Sequence, residues 1–241
     1  MPGQGPTEKF SRHASVLEDN LGRKSSSERG GNLKIKYKLL DLFCCQGGAA
    51  MGYHNSDLFD VVGVDIEPQS RYPFHFIQAD ALDYLAQHGC DYDFIHASPP
   101  CQKFTKARKL QGNIHQDFIP DTRNLIVLTG KPFVIENVPG APLRNPVELC
   151  GTMFGLKTYR HRLFESNFKI SAPKHSQHGE PSVKMGRPVK EGQFVHVVGH
   201  FSGVPLARKI MGMPWANRYG LAQAIPPAYT EFISREWLKA L

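Results

Sequence analysis

Two short stretches carry residue types able to make and break a covalent bond to a substrate. In Asp93-Phe-Ile-His-Ala-Ser-Pro-Pro-Cys-Gln102 a thiol follows an apolar run and two prolines, and in Val134-Ile-Glu-Asn-Val138 a carboxyl group closes another apolar run. The prolines restrict the backbone ahead of Cys101, so its thiol is expected to stand over a cleft as a nucleophile, with Glu136 as the acid that faces the same substrate. Either motif alone is weak, because a cysteine is more often a buried thiol and acids at strand ends are common. Their order on successive strands, which brings both to one edge of a sheet, carries the argument. A zinc-hydrolase reading of this cysteine fails on spacing. Nucleobase deaminases need PCxxC and a glutamate two residues after the histidine, whereas Phe104 stands three after Cys101 and Ser98 two after His96.

A second group of residues suits a small cationic ligand. The run Asp41-Leu-Phe-Cys-Cys-Gln-Gly-Gly48 ends an apolar stretch in glycines, which let a backbone turn tightly and approach a ligand at the next helix N-terminus. Asp65 falls 24 residues after Asp41, at the end of a second apolar run, where an acid can accept from both hydroxyls of a ribose. Asp80 ends a third. Acids lining one crevice repel polyphosphates and favour a ligand with an amine and a sulfonium, namely S-adenosylmethionine. Taken alone, the glycines serve equally well as a turn and the acids as solvated strand ends.

Such residues need a rigid scaffold to hold them. The apolar runs at 37–43, 61–66, 74–79, 93–98 and 133–138 alternate with stretches of helical character, the pattern of strands buried on both faces of a parallel sheet. This predicts a doubly wound, Rossmann-like α/β fold. Residues 1–36, with SSSERGGN, read as a flexible tail. Residues 37–165 read as the catalytic and cofactor-binding domain, 166–205 as a short insert in which only 193–201 alternates like a strand, and 206–241 as a segment that completes the domain. Apolar residues at helical spacing in 228–241 predict a terminal helix.

Composition bounds the class further. Hydrophobic residues at 41% and charged residues at 21% fit an ordinary globular chain, and no apolar run approaches membrane-spanning length. The first residues lack the apolar block of a secretory signal, which places the chain inside a cell, in the cytoplasm or on a nucleoid. Five cysteines without a CxxC pair argue against a disulfide framework and a structural zinc site, so no metal is expected. The net charge of +7 divides unevenly: residues 37–100 carry nine acids and two bases, and residues 157–218 eleven bases and three acids. A basic segment of this kind suits a polyanion, or is simply a solvated basic surface.

In their order, these motifs resemble those of the cytosine-C5-specific DNA methyltransferases, in a small bacterial or phage form. Asp41 to Gly48 resembles the family's DLFCGxGG cofactor loop, Asp65-Ile-Glu-Pro68 the ribose-binding segment and Asp80 the adenine-contacting acid. Pro99-Pro-Cys-Gln102 is similar to the nucleophile loop, Glu136-Asn-Val138 to the glutamate motif and Arg160-His-Arg162 to the RxR motif beside the flipped base. Ile210 to Trp215 resembles the segment that supports target recognition, and Ala222 to Pro227 the late motif that closes the cofactor pocket. The likeness runs from about Leu39 to the end. Three departures stand out: Cys45 replaces a glycine of the cofactor loop, Thr158 replaces the glutamine before RxR, and Ala222-Gln223 replaces Gly-Asn.

The resemblance implies roles. Asp41, Phe43, Cys44, Gly47, Gly48, Asp65, Ile66, Asp80, Ala81, Pro99, Gln223 and Ala224 would hold S-adenosylmethionine, leaving S-adenosylhomocysteine as product. Cys101 would add to C6 of cytosine, and Glu136, protonated, would bond N3 and the exocyclic amine. Arg162 would hold the base carbonyl, with Arg160 supporting the loop or pocket. Pro100, Gln102 and Asn137 would meet the substrate, and Lys103, Lys106 and Arg108 its phosphates, on double-stranded DNA whose cytosine is flipped out. A restriction–modification setting is implied as well. Lys184, Arg187 and Lys190 would serve the insert, whose brevity suggests a short target. Two alternatives stand beside this: an RNA cytosine-C5 methyltransferase, and a catalytically silent relative that binds nucleic acid. The sequence is silent on oligomeric state.

Overall fold

The computed structural model describes residues 36–101, 116–179, 181–183, 187–188 and 193–241. The chain divides into Met1–Ile35 and Lys36–Leu241, and every described residue belongs to the second unit. Its centre is a seven-stranded sheet formed by β1 (Tyr37–Leu42), β2 (Phe59–Asp65), β3 (His75–Gln78), β4 (Phe94–Ala97), β5 (Phe133–Asn137), β6 (Val147–Leu149) and β7 (Arg162–Ser166), in the order β3-β2-β1-β4-β5-β7-β6. The first five strands pair in parallel, while β7 runs antiparallel to both β5 and β6.

The predicted doubly wound α/β fold is thus present, and the alternation along the central strands shows why. Leu39, Phe94 and Val134 face a cluster with Ala50 and Tyr53 of α1 (Gly48–Asn55) and Tyr229, Ile233 and Trp237 of α6 (Pro227–Leu238). Leu40, Leu42, Ile95 and Ile135 face the opposite cluster, with Leu85 of α2 (Ala81–His88) and Ile126 of α3 (Ile119–Thr129). Strands covered on both sides have no solvent face, which is why they read as unbroken apolar runs. Burying each such Leu, Ile or Phe contributes about 1.5–3 kcal/mol. Strand order reverses between β1 and β4, and the loops that follow them part there to leave a crevice at their carboxyl ends, the usual ligand position in open α/β sheets.

Four elements depart from the sequence expectation. The edge strand β6 and its neighbour β7 were not foreseen, because Arg162-Leu-Phe-Glu-Ser166 is only half apolar; Arg123 and Glu165, both buried, join β7 to α3 with paired 2.7 Å contacts. The strand expected over 193–201 shortens to β9 (Phe194–Val195), paired in parallel with β8 (Ser182–Val183). Beyond it, Val197 and Phe201 turn into a third cluster with Ala207 and Met211 of α4 (Val204–Met211) and Leu221 of α5 (Arg218–Gln223), so their alternation reflects packing on helices. The terminal helix is present but ends at Leu238.

Candidate active site

The loop after β1 is built from backbone in unusual conformations. Phe43, Cys45 and Gly47 all have positive φ, at 58°, 45° and 75°. Gly47 adopts this without a Cβ penalty, but Phe43 and Cys45 do not, and such positions typically store about 1–3 kcal/mol of strain each. Cys45 therefore occupies a left-handed position where the related motif carries glycine. Gly48 is constrained in a different way: a Cβ there would lie 2.3 Å from the Ile225 carbonyl oxygen, so the start of α1 packs directly on the late segment.

Hydrogen bonds fix this loop from both sides. The Asp65 carboxylate accepts the Cys45 N–H at 2.9 Å with one oxygen and the Glu67 N–H at 3.0 Å with the other. Each oxygen keeps a further lone pair, so the group is oriented yet still able to accept from a ribose diol. Trp215 Nε1 donates to the Gln46 carbonyl at 2.7 Å, the Asn217 N–H donates to Gln46 Oε1 at 3.0 Å, and Arg71 donates to the Trp215 carbonyl. Residues 215–217 are thereby clamped over the loop.

Across the crevice stand the candidate reactive groups. Ser98 donates through its N–H to Leu42 and through its hydroxyl to Phe43, and Asn137 Nδ2 donates to the Pro99 carbonyl at 2.9 Å, holding the chain that leads to Cys101. Glu136 is buried, with Oε1 2.8 Å from Arg162 Nε, yet that oxygen receives no well-directed hydrogen bond. Burial raises the Glu136 pKa, outweighing the Arg162 and Arg160 guanidiniums that oppose it. The carboxyl is thus easier to protonate than an exposed glutamate, and in its protonated form it can donate to a ligand. Burial, together with the Glu136 charge, also pushes the Cys101 thiol up, against Arg162.

One cleft of about 670 Å³ connects both sides, a volume in the range of small-molecule sites. Its walls include Phe43, Cys44, Gly48, Asp65, Ile66, Pro99, Pro100, Cys101, Glu136, Arg162, Gln223 and Ala224, as the sequence led one to expect. Glu67, Gln46 and Tyr219 also line it and were missed. Gln46 and Glu67 sit inside motifs already singled out, so the signal was there, whereas Tyr219 had none. Ile66 and Tyr219 are 63% and 64% exposed, apolar surface at the cleft that a flat ring would cover.

Other expected residues take different places. Asp41 lies fully buried beneath the loop, accepting from the Tyr72 hydroxyl at 3.3 Å, and is not a cleft wall; Gly47 and Ala81 are also behind it. Asp80 caps α2 by accepting from the Leu82 and Asp83 N–H groups, so one oxygen is engaged in the fold. Asn137 holds the segment that leads to Cys101 and does not reach the cleft. Arg160, expected among the catalytic residues, is buried with its guanidinium on the carbonyls of Ala224, Val197 and Ala222; each of its three nitrogens donates to backbone, which makes it a positioning residue. Gln102, Lys103, Lys106, Arg108, Lys184 and Lys190 lie outside the described residues, and Arg187 is exposed.

The arrangement defines an open α/β sheet with a thiol, a buried carboxyl and a guanidinium converging on a ligand cleft at its switch point. Solved structures share this fold. A prophage-encoded protein of E. coli, named as a DNA modification methyltransferase, matches with a TM-score of 0.62 over 85% of this chain and 99% of that one, at 14% identity. Dnmt2 methyltransferase of S. pombe matches with a TM-score of 0.56 over 86% of this chain and 99% of that one, at 13% identity. No protein-family model and no curated protein matches the sequence. The chain therefore has the Rossmann-like fold of these methyltransferases, and its chemistry must be argued from the cleft.

Proposed function

We propose that this chain transfers a methyl group from S-adenosylmethionine to C5 of a cytosine in double-stranded DNA, through a covalent adduct at Cys101. The observation that carries the proposal is the single cleft in which Asp65 and Ile66 share walls with Cys101, Glu136 and Arg162. The donor-side residues fit the cofactor: Asp65 offers two oriented acceptor oxygens for the ribose, and exposed Ile66 offers an apolar platform for adenine. When bound, the cofactor supplies an electrophilic methyl group.

Cytosine C5 is a weak nucleophile until the ring is activated. Cys101 loses its proton and bonds to C6, breaking the C5–C6 double bond and pushing electron density toward N3 and the carbonyl. Glu136, whose burial eases its protonation as the base binds, donates to N3, and Arg162 stabilises the base carbonyl. C5 then takes the methyl group, loses its proton, and the C6–S bond breaks as the double bond reforms. The products are 5-methylcytosine, S-adenosylhomocysteine and the free thiolate. Extrusion of the base from the duplex costs roughly a few kcal/mol, offset by backbone contacts from the basic stretch between residues 157 and 218. Within it, residues 166–205 serve as the target-recognition insert between a catalytic domain (37–165) and its completing segment (206–241).

Transfer of labelled methyl groups from S-adenosylmethionine to duplex DNA and to folded RNA, compared between wild type and Cys101→Ser, tests this reading. Label at cytosine C5 of DNA that vanishes in the variant is the expected result. Label confined to RNA transfers the same chemistry to the other polymer, and a folded protein that binds no cofactor in calorimetry is a silent relative. DNA affinity should also fall steeply with salt; a flat response removes the role of the basic segment.

A further inference from the structure

A second constellation lies outside the cleft and plays no part in the mechanism above. Cys150 directly follows β6, His161 stands between Arg160 and Arg162 just before β7, and His175 and His178 come from the stretch that follows β7. One donor atom from each of these residues lies within 4.8 Å of all the others. Cys150 Sγ is 3.5 Å from His178 Nε2, and His175 Nε2 is 3.0 Å from His178 Nε2. We propose that Cys150, His161, His175 and His178 form a structural zinc site that fastens the start of the 166–205 segment to the sheet edge beside the Arg160-His-Arg162 motif.

The donor chemistry selects the ion. One thiolate and three imidazoles are the soft and borderline ligands of zinc, whereas calcium and magnesium require oxygens. Bond lengths of about 2.0–2.3 Å around a tetrahedral ion put neighbouring donor atoms about 3.3–3.8 Å apart, and the separations here, from 3.0 Å up to 4.8 Å, bracket that range closely enough for small side-chain shifts to complete the shell. Four protein ligands leave no open position, which marks a structural rather than a catalytic site. Surrounding groups orient the ligands as an ion would require. Thr152 Oγ1 donates to Cys150 Sγ at 3.2 Å. The Tyr159 ring stacks on His178 with centroids 3.8 Å apart, and Phe194 stacks on Tyr159 at 4.5 Å. Glu148 Oε1, 3.8 Å from His161 Nε2, offsets the residual positive charge. An argument from CxxC spacing misses this set because the ligands come from three separate stretches of chain and include only one cysteine.

The full chain, purified on a tag without histidine and dialysed against a weak chelator, should retain about one zinc per molecule by elemental mass spectrometry. His175→Ala and His178→Ala change exposed residues and should fold, yet each should lose most of the metal. Cobalt(II) should give a thiolate charge-transfer band that disappears in Cys150→Ala. Stripping zinc from the wild type should lower the thermal midpoint, and zinc but not magnesium should restore it. A folded wild type that holds no zinc overturns the proposal, as does full zinc content in the His175→Ala, His178→Ala double variant. A cobalt spectrum without the thiolate band overturns it too.

Discussion

The two walls of the cleft are built on opposite plans. On the donor side, Asp65 has both oxygens bonded to loop N–H groups and Gln46 is tied to Trp215 and Asn217, so the polar groups are already committed to one geometry. On the target side, Glu136 keeps a buried oxygen without a directed hydrogen bond and Cys101 remains a thiol whose ionisation is disfavoured. An unpaired buried polar atom costs about 1–3 kcal/mol, and a site retains one where a substrate will complete it. One wall is thus shaped in advance and the other left incomplete, which under the proposed function a base would finish.

The largest effect should come from the incomplete wall. Cys101→Ser removes the thiolate on which the covalent route depends, and methyl transfer should fall at least about a thousandfold. Because Cys101 lies across from the donor loop, S-adenosylhomocysteine affinity in calorimetry should stay within about twofold of wild type. Retained activity in this variant would remove the covalent route.

Glu136→Gln should follow, with a loss of about 10²–10³-fold, the range for a positioned acid. It should also act on the thiol in the opposite direction. The Glu136 charge is one of the causes that hold Cys101 up, so its removal should shift the pH profile of Cys101 alkylation to lower pH, read by peptide mass mapping to separate it from Cys45 and Cys90. An unchanged profile would mean that burial alone controls the thiol.

The contrast between the walls also explains what could be read from the sequence. Strands buried on both faces are unbroken apolar runs, so β1 to β5 were legible, and with them the strand ends that carry Asp65, Cys101 and Glu136. β7 lacks that signature although it lies between β5 and β6, because there Arg123 and Glu165 substitute a buried ion pair for apolar packing. The motif around Arg160-His-Arg162 was visible, but its division of labour was not: only the fold shows that Arg160 points at three carbonyls while Arg162 points at Glu136. Asn137 was placed beside the substrate for the same reason, since spacing locates a residue at the edge of the sheet and does not tell which way its side chain turns.

The donor wall should respond more mildly to a single change. Asp65→Ala removes the ribose acceptors and frees the Cys45 and Glu67 N–H groups, and S-adenosylhomocysteine affinity should drop about tenfold, the value of a good hydrogen bond to a charged group. Alkylation of Cys101 should be unaffected. A variant with unchanged affinity would show that Asp65 only braces the loop.

Asp41 is the exception on the donor side and allows the smallest effect to be tested. Like Glu136 it is a buried carboxyl with an oxygen that lacks a hydrogen bond, but it lies beneath the loop with only the Tyr72 hydroxyl as a donor. Burial raises its pKa to about 8, against Tyr72, with the Asp65 charge adding to the rise. The unfolded chain would release this proton near the ordinary value for aspartate, about 4. Between those limits the folded state holds a proton that the unfolded state does not, so stability declines as pH rises and levels off above about pH 8. Asp41→Asn cannot ionise and should escape that decline. Relative to wild type its thermal midpoint should be higher at pH 8.5 than at pH 5.5, by about 2–4 °C for each kcal/mol of difference. Equal offsets at the two pH values would mean that Asp41 is ionised in the fold, and the donor wall would then hold a buried charge that needs the cationic ligand as its partner.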